Sequence, residues 1–357
     1  MTRLSVTLER GVNLASLGEW WRELQERADC RVFLSWPWIG TWAELTAVAP
    51  QVLIARDGDR IMGLALLTPA EMRRHGWLSV RTLQLHATGD PAQDAITIEH
   101  NGMLVDRVVA ATAPRLMLKH LLTNGGDWEE LHCPGVAPDF AEGLEGAEVR
   151  SLAGSAQVDL MALRAAGISY LQQLSANTRQ QIRRAMRRYG ELRLEAATDT
   201  EEALAWFAAL GKLHQTHWTG RGKAGAFASP FWVRFHRMLI ERYFSVGLVE
   251  LVRITAGKAP IGYLYNLLWR GSVDSYQSGF LYTADARLKP GLVSHAMCIE
   301  RHLAAGARRY DFLAGDARYK RSLGKPGPQL AHVVLQRPRF KFALERGLLR
   351  VKQALGS

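Results

Sequence analysis

Between Leu248 and Tyr319 the chain has an order of elements that few folds can accommodate. Three strand-like runs, LVELVRITAG, IGYLYNLLWRG and VDSYQSGFLY, are followed by the turn ARLKPG, the helical run LVSHAMCIERHLAAG and a last strand, RRYDFLAG. An antiparallel meander that feeds a helix through a glycine turn predicts a mixed sheet flanked by helices. The first N–H groups of such a helix have no intrahelical partner and sit at the positive end of its dipole. The turn therefore suits an anion.

At 357 residues the chain has room for two domains, and 48% hydrophobic with 22% charged residues is the composition of a folded protein. No apolar run approaches the roughly 20 residues of a membrane span. The opening residues lack the apolar core and small-residue cleavage site of a signal peptide. Cys30, Cys133 and Cys298 are widely spaced and odd in number, which suits a reducing cytoplasm and offers neither a disulfide framework nor a metal pattern. The net charge of +11 favours acidic partners: a nucleotide carrier, nucleic acid or an anionic membrane surface. The expected location is the cytoplasm, with peripheral attachment to the inner membrane as an option that the charge leaves open.

Helices are expected near Leu17–Ala28, after FLSWPWIGTW and over Ala110–Thr123. Strands are expected on either side of Asp57-Gly58-Asp59, at Arg81–Leu85, Ala95–Ile98 and Trp128–Cys133. Residues 134–156, rich in Gly and Pro, read as a loop region between domains. The second half opens with the arginine-dense helix SYLQQLSANTRQQIRRAMRRYG. It continues with a strand at LRLEAAT, a capped helix at TDTEEALAWFAALGKLHQTHW and an amphipathic helix at Phe231–Phe244. Arg179, Arg183 and Arg187 fall on one helical face, which reads equally as a solvated surface or as a phosphate-binding one. The two halves share a rough order of elements without a visible sequence repeat.

Several phrases together resemble a known family: FLSWPWIGTW, TGDPAQDAITIEHNG and DWEELHCPGV in the first half, and LSANTRQQIRRAMRRYG, HQTHWTGRGKAGAFASPFWVRFH, YQSGFLYTADARLKPGLVSH and YDFLAGDARYKRSLG in the second. They are similar to the CelD/BcsL-like acetyltransferases, a GNAT-superfamily group associated with bacterial exopolysaccharide production and related to the FemAB aminoacyl-transferases. The resemblance implies an α+β or α/β chain of tandem GNAT-like domains, each a mixed, mostly antiparallel sheet flanked by helices. The first spans residues 1–150 without a donor loop, and the second, the acyltransferase, spans residues 165–357. It further implies an N-acyltransferase that takes acetyl-CoA or another acyl-CoA, with an amino sugar of an exopolysaccharide or its lipid-linked precursor as acceptor and no metal. Two alternatives stand beside it. One is a FemAB-like enzyme that uses charged tRNA, and the other is a non-catalytic subunit that responds to a cyclic dinucleotide such as cyclic di-GMP.

On this reading Arg287, Leu288, Lys289, Gly291 and Leu292 match the pyrophosphate loop [QR]-x-x-G-x-[GA], with Leu292 departing from the small final residue. Gln277, Ser278 and Gly279 would offer backbone N–H groups to the thioester carbonyl, between splayed strands at Asp274–Leu281 and Arg309–Leu313. Asp316 would bind or deprotonate the acceptor, and Tyr319 would protonate the departing thiolate. The competing reading of Asp316 is a helix cap. His295 is a possible base, although a structural role fits it better. His214 and His217 lack a third ligand for zinc. Trp218, Arg221, Tyr265, Asn266, Tyr276 and Lys320 are candidates for the acceptor pocket. Tyr276 and Gln277 can both face it only where the strand bends.

Overall fold

The computed structural model describes residues 4–46 and 49–355 and contains two mixed sheets, each packed between helices. The chain begins with β1 (Ser5–Glu9), α1 (Leu14–Arg27) and α2 (Trp36–Thr46), then runs through β2 (Gln51–Asp57), β3 (Arg60–Arg74) and β4 (Leu78–Leu85). After the two-residue β5 (Leu104–Val105) come α3 (Ala113–Asn124), β6 (Glu130–Val136) and β7 (Ala147–Ala153). Asp57 pairs with Arg60 around Gly58, whose φ of +58° gives the hairpin its tight turn.

The second half is built from β8 (Ser155–Asp159), α4 (Leu160–Ala165), α5 (Tyr170–Gln173), α6 (Ala176–Tyr189) and β9 (Leu192–Ala196). Next come α7 (Thr200–Thr219), α8 (Pro230–Tyr243), β10 (Val249–Ala256), β11 (Ala259–Trp269), β12 (Ser272–Phe280), α9 (Pro290–Ala304), β13 (Arg309–Ala314), α10 (Arg318–Leu323) and β14 (Lys325–Pro326). The chain then returns to the first sheet. β15 (Leu330–Gln336) inserts between β6 and β7, and α11 (Phe340–Leu355) follows it. Residues 330–336 thus complete the first sheet, although a boundary near residue 150–165 groups them with the second half.

Three local expectations give way to tertiary context. Residues 134–156 contain β7 and the start of β8, because the edge of the first sheet pairs with β15 and overrides the turn-rich composition. Ala95–Ile98 is not a strand. Asp94–Ile96 forms a 3-10 turn, with the Asp94 carboxylate accepting from Thr88 N and Gly89 N. The arginine-rich run forms two helices, since Ser175 caps a new start by accepting from Thr178 N.

The two sheets repeat one device. In each, three antiparallel neighbours (β2–β3–β4 and β10–β11–β12) lead through a helix to a strand that pairs in parallel with the last of them. Each parallel contact lasts only three residue pairs, Thr82–Gln84 with Glu130–His132 and Ser272–Asp274 with Arg309–Asp311. Beyond those pairs the strands diverge. A shared core joins the halves: Trp21, Trp38 and Trp42 of α1 and α2 pack with Phe207, Trp232 and Phe235 of α7 and α8. The other face of the second sheet packs on α9 through Val293, Ile299 and Phe312, and the far face of the first on α3 through Met117 and Leu121.

Candidate functional site

The divergence of β12 from β13 is the element from which the site is built. Its base is a buried ion cluster. Asp274 and Asp311 face each other in the last parallel pair, both 0% exposed, and Arg31 from the α1–α2 connection spans them at 2.5 and 2.7 Å. His100 lies 3.6 Å from Asp311. Burial alone would raise Asp311, but the His100 contact and the Arg31 charge outweigh it and hold its pKa at about 2. Burial pushes Asp274 upward. The first half therefore supplies the cation at the point where the second half's strands part.

Above this base β12 bulges. Asn266 pairs with Ser275 and Tyr265 with Gln277, which leaves Tyr276 as the extra residue. The bulge is the bend that lets Tyr276 and Gln277 project differently from a regular strand. The Tyr276 hydroxyl donates to Ile96 O at 2.7 Å, tying the bulge to the first half. At Gly279 an added Cβ would meet Leu210 O at 2.4 Å, so the glycine allows α7 to lie against β12. Ser278 N donates to the Gln277 side chain at 3.0 Å, and Ser278 O accepts from His214 Nδ1 at 3.2 Å.

The expected donor residues gather along this strand and the start of α9. Lys289 is the N-cap of α9 in a left-handed conformation (φ +49°), Pro290 occupies the first turn, and no side chain caps the helix. Gly291 touches Phe280, since a Cβ there would lie 3.1 Å from the ring. Arg287 is turned to Asp285, with Nε donating at 2.8 Å, and Arg188 of α6 joins the same carboxylate. An aromatic wall continues the cleft. Phe280 meets Tyr282 and His295, His295 stacks under Tyr319 at 5.5 Å, and Tyr282 stacks on His217 at 4.5 Å. Trp218 lies edge-on to that His217 at the end of α7, and Lys223 lies over the Trp218 ring. The Arg221 charge acts on His217 and Tyr282.

Tyr319 remains 36% exposed with one face covered, and burial together with nearby Tyr282 pushes its phenol to about 12. It stays protonated at neutral pH and can give up a proton. His295 is buried, its Nδ1 3.2 Å from the Tyr310 hydroxyl, and burial with the Lys320 charge holds it at about 3. It is a neutral support beneath Tyr319, a poor position for a base. Asp316 is exposed. The N-cap of α10 is Ala317, without a side-chain cap bond, so Asp316 does not cap the helix. Lys320 reaches back to the end of β13 and donates to Leu313 O at 3.2 Å and Ala314 O at 2.5 Å. Burial lowers its pKa against the charges of Glu99, Asp311 and Asp316.

Two expected pocket residues belong elsewhere. Tyr265 is fully buried against His236, 3.0 Å from its hydroxyl, within the shared aromatic core. Asn266 donates to Glu250 at 2.9 Å in a buried network with Cys298 and His302. Glu250, Cys298 and His302 offer atoms within 4.8 Å of one another, but Arg301 already pairs with the carboxylate. Both residues sit on β11, whose two faces are covered, so polarity there signals core hydrogen bonding. The arginines of α6 divide as its period requires: Ile182 and Ala185 are buried, while Arg183, Arg184, Arg187 and Arg188 are exposed.

Sequence reasoning passed over Arg31, Glu99, Trp42 and His86. The Glu99 Oε2 accepts from Ala314 N at 2.6 Å, across the halves, and burial raises its pKa. Beside it, beyond the last paired residues of β4 and β6, lies a cavity of about 320 Å³ that Trp42, His86, Glu99, Ala153, Ala314 and His332 help to line. The signal available was TIEHNG, whose acidic residue follows the apolar Ile98, but only the tertiary fold brings it to β13.

Residues 176–321 match the acetyltransferase (GNAT) domain family. No curated protein sequence matches the chain significantly. Among solved structures, that of FemX superposes with a TM-score of 0.57 at 11% identity, covering 93% of this chain and 97% of that one. The C-terminal domain of a putative lysylphosphatidylglycerol synthetase from Agrobacterium fabrum gives 0.55 at 11% identity, covering 96% of each chain. L-PGS from Bacillus licheniformis gives 0.54 at 11%, covering 90% of this chain and 92% of that one. Identities this low establish likeness of fold. With the two repeated mixed sheets, the chain has the architecture of tandem GNAT-like domains, and residues 176–321 of its second half are similar to the acetyltransferase (GNAT) domain. No helix among the described residues is long and apolar enough to cross a membrane.

Proposed function

We propose that the chain is an N-acyltransferase that uses an acyl-CoA thioester, acetyl-CoA first among them, and acylates an amino sugar of an exopolysaccharide or its precursor. The observation that carries this reading is the three-pair contact of β12 with β13, followed by divergence with Gly291, Tyr319 and the bulge at Tyr276 around the opening. A thioester placed there meets backbone N–H groups of the free edge of β12, which favour a developing oxyanion. The uncapped amides at the start of α9 favour the pyrophosphate.

In the reaction the amine nitrogen adds to the thioester carbon, its proton passes to a base, the C–S bond breaks and the thiolate takes a proton from the Tyr319 hydroxyl. The charges of Asp316 and Glu99 both act on Lys320, and one of these two carboxylates receives the amine proton on this reading. Ser278 N–H is free to polarise the carbonyl once its contact with the Gln277 side chain is released.

A second reading keeps the fold and changes the donor to the aminoacyl ester of a charged tRNA. The exposed arginines of α6, a helix that packs on α9 beside the donor loop, favour it. One experiment separates the readings: calorimetric titration with acetyl-CoA, charged tRNA and cyclic di-GMP, with transfer of labelled acetyl to amino sugars followed in parallel. Acetyl-CoA binding and amide formation are expected. Binding of charged tRNA with no response to acetyl-CoA would replace the thioester donor, and binding of cyclic di-GMP alone would remove the enzyme reading.

A further inference from the structure

The 320 Å³ cavity of the first half borders the end of β13 through Ala314, and of its walls the reaction above uses only Glu99. Two of its wall residues each keep a buried polar atom without a partner. Trp42 is 2% exposed and His86 3%, and neither Trp42 Nε1 nor His86 Nε2 makes a hydrogen bond. Their polarities follow from chemistry. An indole N–H only donates. Asn101 Nδ2 donates to Leu85 O and Pro134 O, which makes Asn101 Oδ1 an acceptor, so His86 Nδ1, 2.8 Å away, carries the proton. Burial holds His86 at about 4, and the neutral ring presents Nε2 as a bare lone pair. A buried donor and a buried acceptor left open cost folding stability unless something fills them. Of the two carboxylates in the wall, Asp94 is already taken by Thr88 and Gly89, which leaves Glu99 as the third open polar group. Its Oε2 is taken by Ala314 N, and its other oxygen has no hydrogen-bond partner among the described residues. Neither lysine nor arginine lines the cavity, and Trp42, Ile96, Ile98 and Leu330 give it apolar surface.

We infer that this cavity holds the acceptor and that it selects a hydroxyl-bearing primary amine with no anionic group. The ammonium pairs with Glu99, ligand hydroxyls donate to His86 Nε2 and accept from Trp42 Nε1–H, and the carbon skeleton lies on the apolar wall. An unphosphorylated amino-hexose unit meets each requirement. A sugar phosphate or an acidic sugar does not, because its anion would be buried beside Glu99 in a cavity with no lysine or arginine in its wall, the nearby Lys320 being held by the carbonyls of Leu313 and Ala314. The inference rests on the acyl-transfer reading only in naming the ligand an acceptor. The binding selectivity stands on the cavity alone.

The test is calorimetric titration of the full chain with glucosamine, N-acetylglucosamine and glucosamine 6-phosphate, run beside acetyl-CoA on the same samples. Glucosamine should bind best. Glu99→Gln should weaken it by about 10- to 100-fold and erase its advantage over N-acetylglucosamine, as expected for loss of a charge-assisted bond. Trp42→Phe, which keeps an aromatic side chain of smaller size and removes the N–H, should weaken it by about 3- to 10-fold. Ala153→Leu, on the edge strand β7, should fill the cavity and block binding without touching any of the three polar groups, so it decides the case if Trp42→Phe fails to fold. Absence of glucosamine binding, equal or tighter binding of glucosamine 6-phosphate, or unchanged affinity in the folded variants would overturn the inference. Loss of acetyl-CoA binding alone, with the sugar pattern intact, would instead overturn the donor assignment.

Discussion

Replacing Arg31 by leucine would leave two buried carboxylates facing each other with no guanidinium between them. In the intact chain Arg31 contacts both at 2.7 Å or less, beside His100 at 3.6 Å and the Leu313 N–H at 2.8 Å from Asp311 and Ser272 Oγ at 3.3 Å from Asp274. Removing one partner of a buried pair costs about 3–5 kcal/mol, most of it the stranded charge. The half-buried Arg309, whose charge acts on both carboxylates, keeps the expected loss within that range. The pH dependence has a definite sign. In the intact chain Asp311 titrates near 2, below its unfolded value near 3.9, so its contribution is present above about pH 4 and is lost as pH falls towards 2. Burial already holds Asp274 above its unfolded value, and in Arg31→Leu it rises further while Asp311 joins it, so that variant is penalised more as pH increases through the raised values. The stability gap between the two proteins should be widest at neutral pH and narrow as pH falls from about 6 to 4. Urea unfolding followed by tryptophan fluorescence at pH 7 and pH 4.5 measures it. Adding Asp274→Asn and Asp311→Asn to the variant should recover most of the loss at pH 7. A loss below about 1 kcal/mol at pH 7, or one equal at both pH values, would refute the account of Arg31 as the counter-charge at the strand divergence.

Gly291→Val should weaken acetyl-CoA binding, and it should also destabilise the fold by about 1–3 kcal/mol, because the new side chain meets the Phe280 ring. Calorimetry beside a melting curve checks both, and unchanged affinity in a folded variant would remove the loop from the donor site. Asp316→Asn should leave stability within about 0.5 kcal/mol, since Asp316 is exposed and caps nothing. Single-turnover transfer should fall by about 10²-fold if it takes the amine proton, and full turnover would pass that role to Glu99. Tyr319→Phe should lower turnover without changing donor affinity, and a weakened donor would instead mark Tyr319 as a binding surface.

Much of the second sheet was legible because its signals are local. The meander, the Pro-Gly turn and the helical period of α9 each occupy a contiguous run, and they appear where those runs lie. The bend needed to turn Tyr276 and Gln277 apart is realised as a bulge at Tyr276. The readings that failed depend on distant partners. β7 is a strand because β15, nearly 180 residues later, pairs with it. Tyr265 and Asn266 look like pocket polarity in a strand, but α7 and α9 cover the two faces of β11, and His236 of α8 and Glu250 of β10 make them core hydrogen-bonding groups. Arg31 and His86 carried no motif and Trp42 only closed the phrase FLSWPWIGTW, and their meaning comes from what faces them in the fold.

The duplicated fold itself explains why those residues matter. A parallel pair that separates after three residues leaves an opening beyond it, and the chain makes that opening twice. In the first half the opening is partly closed by Asn101, which bridges Leu85 O and Pro134 O across it, and the remaining space is the cavity with the open Trp42 and His86 groups. In the second half Arg31 ties the throat and leaves the upper edge of β12 free. The two openings meet where Glu99 of the first half accepts from Ala314 at the end of β13, while Lys320 holds the carbonyls of Leu313 and Ala314. Leu313 there adopts φ +62°, unusual for a β-carbon-bearing residue, and the Asp311 side chain holds its N–H at 2.8 Å. The kink turns the end of β13 towards the first half, so that one carboxylate can stand at the boundary of both openings. An amine held by Glu99 would then lie beside β13, the strand that on the proposed reading flanks the thioester, a placement neither half could provide alone.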